Sequence, residues 1–250
     1  MIKNYKKVGI VGMPPLQVIR ELAANNVAIN DLDTPLVKAD IESTAPYLPR
    51  VYCAILRTVV LNALNVSLDA IFIDVGPGKC DCALHVATVL QDMLDIPVHK
   101  TINEDRDGFG TSICTTKMAL TEKFLLITEG VQSAIPASKN YPPCQPTAGF
   151  WGVPPRDFSI LKLFPETTHI FGWTRCMENK TPADYELEMV FDPDIPTIFY
   201  AQSFCAKTAL ARHLAEKHPH GLYLDSDVTA GGSAKAKIQA FLELSGVDLG

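Results

Sequence analysis

The chain has 250 residues, 47 % of them hydrophobic, with 22 Lys+Arg against 28 Asp+Glu for a net charge of −6. That length and apolar content suit one large α/β core or two small ones and exclude a disordered or low-complexity protein. The acidic balance holds no Lys/Arg run, which argues against nucleic acid as a main partner.

The predicted elements alternate as strand and helix. Val8–Val11 reads as a short apolar strand, Leu16–Ala24 as a helix started after Pro14-Pro15, and Val27–Ile29 as a second strand running into Asp31 and Asp33. Tyr52–Leu64 reads as a helix, Ala70–Val75 as a buried strand, Ala83–Leu94 as a helix and Ile96–His99 as a strand. The charged stretch 103–108 marks a boundary, giving one domain over 1–105 and a second over 106–250. In the second half a helix is expected over about Thr111–Thr121 and a strand over Phe124–Thr128. Residues 130–155 hold six of the 18 prolines and read as a long irregular loop, expected to cover a cleft mouth as a lid through Lys139, Tyr141 and Trp151. A helix near Phe158–Leu163, strands His169–Gly172, Thr197–Tyr200 and Leu222–Leu224, and helices Ala206–Lys217 and Ala234–Leu244 complete the series. An internal echo pairs 7–34 with 197–229. Alternation throughout predicts an α/β fold of two Rossmann-like parallel-sheet domains facing a cleft. Apolar stretches such as 51–64 are interrupted by Arg57 and Asn62 and fall short of the roughly 20 residues of a membrane span. No signal-peptide pattern precedes the first strand, so a soluble cytoplasmic protein is expected.

Seven cysteines stand at 53, 80, 82, 114, 144, 176 and 205. Cys80, Cys82, Cys176 and Cys205 follow predicted strand ends, and ligands of open α/β sheets bind outside the carboxyl ends of the strands. Thiolates collected there suit a soft metal centre, zinc or iron–sulfur. A Cys-x-Cys at 80–82 with only His85 nearby makes no zinc-finger pattern. Other motifs are weaker. The turn Gly12–Gln17 sits where a dinucleotide fingerprint would be, but Pro14 and Gln17 replace its later glycines. Ala201–Thr208 echoes a phosphate loop with both glycines replaced by alanine, and Ser203 lacks a nucleophile-elbow context. Asp74, Asp225 and Asp227 close strands as ligand contacts or as helix caps. Arg175 and Lys180 follow a strand beside Cys176 and are candidate substrate-binding cations for a carboxylate or phosphate. No pattern identifies a catalytic acid or base.

Several segments, in order, resemble subunits of the 2-hydroxyacyl-CoA dehydratase and benzoyl-CoA reductase family, which includes the double-cubane cluster proteins. They are Val8–Val11 with Pro15–Ile19, Tyr47–Cys53, Asp69–Ile73 followed by Cys80-Asp81, Ile96–His99, Thr197–Cys205, Leu222–Asp227 and Ile238–Glu243. Residues 108–190 lie outside the resemblance. It implies a [4Fe–4S] cluster held by Cys53, Cys80 (or Cys82) and Cys205, with one iron open to a ligand. It also implies single-electron transfer to a small substrate or CoA thioester in anaerobic, low-potential metabolism. The expected partners are that substrate, an ATP-dependent electron-donating activator protein, and a second subunit in a homo- or heterodimer. Cys114, Cys144 and Cys176 are a candidate second metal site, for a second cluster or a double cubane. Two other readings stand beside this one: a non-redox enzyme binding a nucleotide cofactor at the Gly12 turn, and a non-catalytic partner subunit.

Overall fold

Two strand–helix series give two four-stranded sheets, every strand pair in both being parallel. The computed structural model describes residues 2–76, 79, 81–136, 141–182 and 185–249, except the side chains of Lys3, Asp81 and Tyr185. It divides into two units: Met1–Gly108 with Glu129–Pro136 and Lys180–Ala183, and Phe109–Thr128 with Ala137–Asn179 and Asp184–Gly250.

The first unit contains β1 (Lys7–Val11), α1 (Leu16–Ala24), β2 (Ala28–Asp31), α2 (Ala54–Asn65), β3 (Ala70–Asp74), α3 (Asp81–Met93) and β4 (Val98–Thr101), with sheet order β2-β1-β3-β4. The central strand β3 is buried at every position, the near-continuous apolar run of a strand covered on both faces. Helix α2 is buried almost all round, and its Asn62 amide is satisfied by donating to the carbonyls of Leu32 and Thr34.

The second unit contains α4 (Ser112–Thr115), α5 (Leu120–Gly130, its last two residues counted with the first unit), β5 (Gly149–Gly152), β6 (His169–Phe171), α6 (Trp173–Asn179), α7 (Tyr185–Met189), β7 (Thr197–Gln202), α8 (Thr208–Lys217), β8 (Gly221–Ser226) and α9 (Gly232–Leu244). Its sheet order, β6-β5-β7-β8, repeats that of the first unit: β5 holds the place of β1 and β7 that of β3. Trp151, Phe171, Phe199 and Leu214 pack into one buried cluster, and the Trp151 indole N–H donates to the Glu188 carbonyl at 2.7 Å. Among the described residues no helix is long and apolar enough to cross a membrane.

Four expectations need correction. Phe124–Thr128 is helix, not strand, because Leu120, Lys123, Phe124, Ile127 and Thr128 share one buried helical face. The helix expected over Thr111–Thr121 is broken at 116–119, where Thr116 bridges to Pro143 and the Met118 N–H donates to the Glu166 carbonyl. The 130–155 segment is not a lid. It contains the central strand β5, Trp151 lies in the core, and 141–148 runs along the amino-terminal edge of the sheet, reaching His169 at the start of β6. Lys139 lies outside the described residues. The echo of 7–34 with 197–229 is out of phase, since β7 corresponds to β3 and not to β1.

Candidate functional site

The carboxyl edge of the first sheet is built by β1, β2, β3 and the segment after β4. Helix α1 begins after Pro15, whose side chain has no acceptor for a cap. Asp105 takes that role, accepting the Leu16 N–H at 2.7 Å, while Asp33 accepts the Gly12 N–H at 2.7 Å. A bound pyrophosphate would need those same donors. Asp74, at the end of β3, accepts from the backbone N–H groups of Gly76 and Asn103, and the Lys79 ammonium lies 3.5 Å from its other oxygen. Asn103 in turn donates its amide to the Met13 carbonyl.

Three carboxyl groups thus gather with two lysines. Burial pushes Asp31 well above the usual carboxylate range, and the charge of Asp33 adds to that while Lys180 opposes it. Burial also raises Asp33 and Asp74, against the Gly12 N–H for the first and the Lys79 charge for both. Lys180, in a left-handed conformation at φ 64°, donates to the Gly130 carbonyl. This makes it a tie within the first unit as well as a counter-charge to Asp31.

The carboxyl edge of the second sheet is organised by Gln202, the counterpart of Asp74 at the end of the third strand. Its amide donates to the carbonyls of Ser226 and Asp227, and its oxygen accepts from Tyr200 and the Arg156 N–H. The turn that follows is strained: Phe204 has φ 64°, a bulky residue in a region that favours glycine, and is 56 % exposed. Cys205 comes next, its N–H donating back to Gln202 and its carbonyl accepting from Thr208. Lys207 pairs with Glu188 and lies 5.2 Å from the Trp173 ring centroid. A phosphate-loop role for 201–208 would need that lysine.

Of the expected cluster ligands, Cys53 is buried at the N-cap of α2 in the first unit, Cys205 is partly exposed in the second, and Cys80 lies outside the described residues. Cys82, the alternative to Cys80, is partly exposed in the first turn of α3. Among the described residues no three His, Cys, Asp or Glu side chains form a metal-holding group, and this includes the set Cys114, Cys144 and Cys176. Cys114 is buried and donates to Glu178, Cys144 meets His169, and Cys176 is buried in α6. Arg175 reaches Thr111 at 3.4 Å, and its buried Nε has no hydrogen-bond partner.

Sequence reasoning missed Asp33 and Asp105 as self-caps, Gln202, Lys207 and the buried Lys123. The signal for Asp105 was the bare Pro15 cap; Gln202 gave none. No family model matches this chain, and no curated protein matches it.

Proposed function

We propose that the chain is an iron–sulfur protein that passes single electrons to a small acidic substrate, with CoA thioesters as the class the family resemblance suggests. Cys53, Cys80 and Cys205 are the proposed ligands. The observation that supports this most is a repeated one. In chain position both sheets carry a thiol between the third strand and the next helix, Cys80 between β3 and α3 and Cys205 between β7 and α8, with Cys82 in the first turn of α3. Cys53 stands in the same relation to α2, at its N-cap.

Helix N-termini carry partial positive charge, which suits a cluster of thiolate-bound iron. Three protein thiolates leave one iron of such a cluster open, and the bound cluster supplies single electrons. The chain's own contribution lies around it. The strained turn at Phe204 fixes where Cys205 leaves the sheet edge. Arg175, with its unpaired buried Nε, is the cation suited to orient a carboxylate or phosphate group of the substrate. Such a cluster suits a reducing, cytoplasmic setting and an external electron donor.

The test is elemental. Protein purified without oxygen is expected to be brown and to carry about four irons and four sulfides per chain. Cys205→Ser is expected to lose most of that iron while keeping its circular dichroism. Anaerobic parent protein that stays free of iron after reconstitution with ferrous iron and sulfide would overturn the reading.

A further inference from the structure

The second unit holds a group of titratable and nucleophilic side chains that the proposed electron-transfer site does not use. Cys144 lies on the amino-edge segment, with its N–H donating to the Thr115 carbonyl at 3.0 Å, so it is held against the residue that follows Cys114. The adjoining bridge between Thr116 and Pro143 fixes that pairing, and the Thr116 hydroxyl donates to the Pro142 carbonyl. Lys123, fully buried on α5, donates to the Thr168 carbonyl at 2.6 Å, and its ammonium interacts with both thiols and with Glu178. Both cysteines therefore lie within the field of one amine, from two different segments.

Their settings differ in a way that assigns roles. Cys144 is partly exposed, and its Sγ lies 3.7 Å from His169 Nε2. The same nitrogen is 3.0 Å from the Cys144 carbonyl oxygen. A carbonyl only accepts, so in the tautomer protonated at Nε2 this N–H donates to it and is also placed to donate to Sγ when negative charge gathers there. Cys114 has no exposure. Its thiol donates to Glu178, and burial together with that carboxylate pushes it well above the ordinary thiol range.

We propose that Cys144 and Cys114 are a redox-active dithiol, with Cys144 the entry thiol for low-molecular-weight disulfides and Cys114 the resolving thiol. In the first step Cys144 gives its proton to solvent and its sulfur attacks one sulfur of the disulfide RSSR. A Cys144–S–S–R bond forms, the R–S–S–R bond breaks, and one RS⁻ leaves to be protonated. In the second step Cys114 passes its proton to Glu178 and attacks the Cys144 sulfur, expelling the second RS⁻. Two protein thiols are oxidised and one disulfide is reduced to two thiols. The product ties the amino-edge segment to α4.

The experiment treats reduced full-length protein with oxidised glutathione, quenches with an alkylating agent and maps the peptides by mass spectrometry. The expected result is one linked pair, Cys114 to Cys144, forming at least about tenfold faster than any other linkage, because attack by a partly exposed, donor-assisted sulfur sets the rate. Cys114→Ala is expected to stop at a stable mixed disulfide on Cys144, and Cys144→Ser to leave Cys114 unmodified. His169→Phe is expected to slow the first step severalfold while circular dichroism is unchanged. If Cys114→Ala fails to fold, the parent reaction decides alone: a stable glutathione adduct on Cys144 with no linkage to Cys114, linkage to another cysteine, or no reaction at Cys144 would each overturn the proposal.

Discussion

The Gly12 backbone N–H donates to the Asp33 carboxylate at 2.7 Å, across 21 positions of sequence, and this bond occupies the place where a dinucleotide's phosphates would approach the first turn. The second donor such a ligand would use, the Leu16 N–H, is taken by Asp105. Two carboxylates of the chain therefore stand where an external anion would.

From this follows the first prediction. Neither NAD nor ATP at about 1 mM is expected to shift the thermal midpoint, since a ligand that does not bind the native state adds no stability. Asp105→Ala is expected to cost about 1 kcal/mol in urea denaturation, the usual loss on removing a helix N-cap. A rise of several degrees with either nucleotide would restore the nucleotide-binding reading.

Asp31 carries a pH prediction. Its folded-state pKa lies well above its ordinary 3.8, so the folded chain holds this proton more tightly than the unfolded chain. The stability that difference contributes is complete below the ordinary value and is lost as pH rises through the raised one. Asp31→Asn keeps an acceptor for the Asp33 N–H and removes the ionisation. The variant is expected to be more stable than the parent at neutral pH, with the gap closing as pH falls toward 3.8. Stability curves at four or five pH values decide it, and a gap that widens on acidification would refute the assignment.

How far the sequence revealed this molecule depends on what each segment offered. The first unit was legible because β1 and β3 are apolar strands and α1 has a clean amphipathic period. The second was partly hidden by β5, whose sequence is Gly-Phe-Trp-Gly amid prolines. Its glycines are there for space: a Cβ on Gly149 would meet the Thr197 hydroxyl at 2.3 Å, and one on Gly152 the Tyr200 carbonyl at 2.1 Å. A strand chosen for close approach of its neighbours lacks the β-branched signature by which strands are recognised. Without β5 the repeat was assigned to the wrong strands. The run 124–127 failed differently, since four successive apolar residues suit a buried strand or a buried helix equally. At the candidate sites the cysteines were visible as residue types. Asp33, Asp105 and Gln202 act on segments distant in sequence, and no local pattern encodes that.

Lys207 and Glu188 form an ion pair with side chains 19 % and 9 % exposed. Lys207→Met leaves Glu188 a nearly buried charge without its partner, and is expected to cost about 2 kcal/mol, below the fully buried range because some solvent reaches the lysine. Adding Glu188→Leu removes the stranded charge, so the double variant is expected to be more stable than Lys207→Met alone. Additive losses in a double-mutant cycle would show that the pair is not coupled.

Phe204 allows the strain at the Cys205 turn to be measured apart from the ring. Replacing it with Gly or with Ala removes the same side-chain contacts, so the two variants differ in backbone preference alone. In a helix or strand Ala is the more stable of the two. At φ 64° the order should invert, because an L-residue with a Cβ pays about 1 kcal/mol in the left-handed region that glycine enters freely. Phe204→Gly is therefore expected to exceed Phe204→Ala by about that amount in urea denaturation. Equal stabilities, or the ordinary order, would mean that the turn holds no such strain and that Cys205 leaves the sheet edge without it.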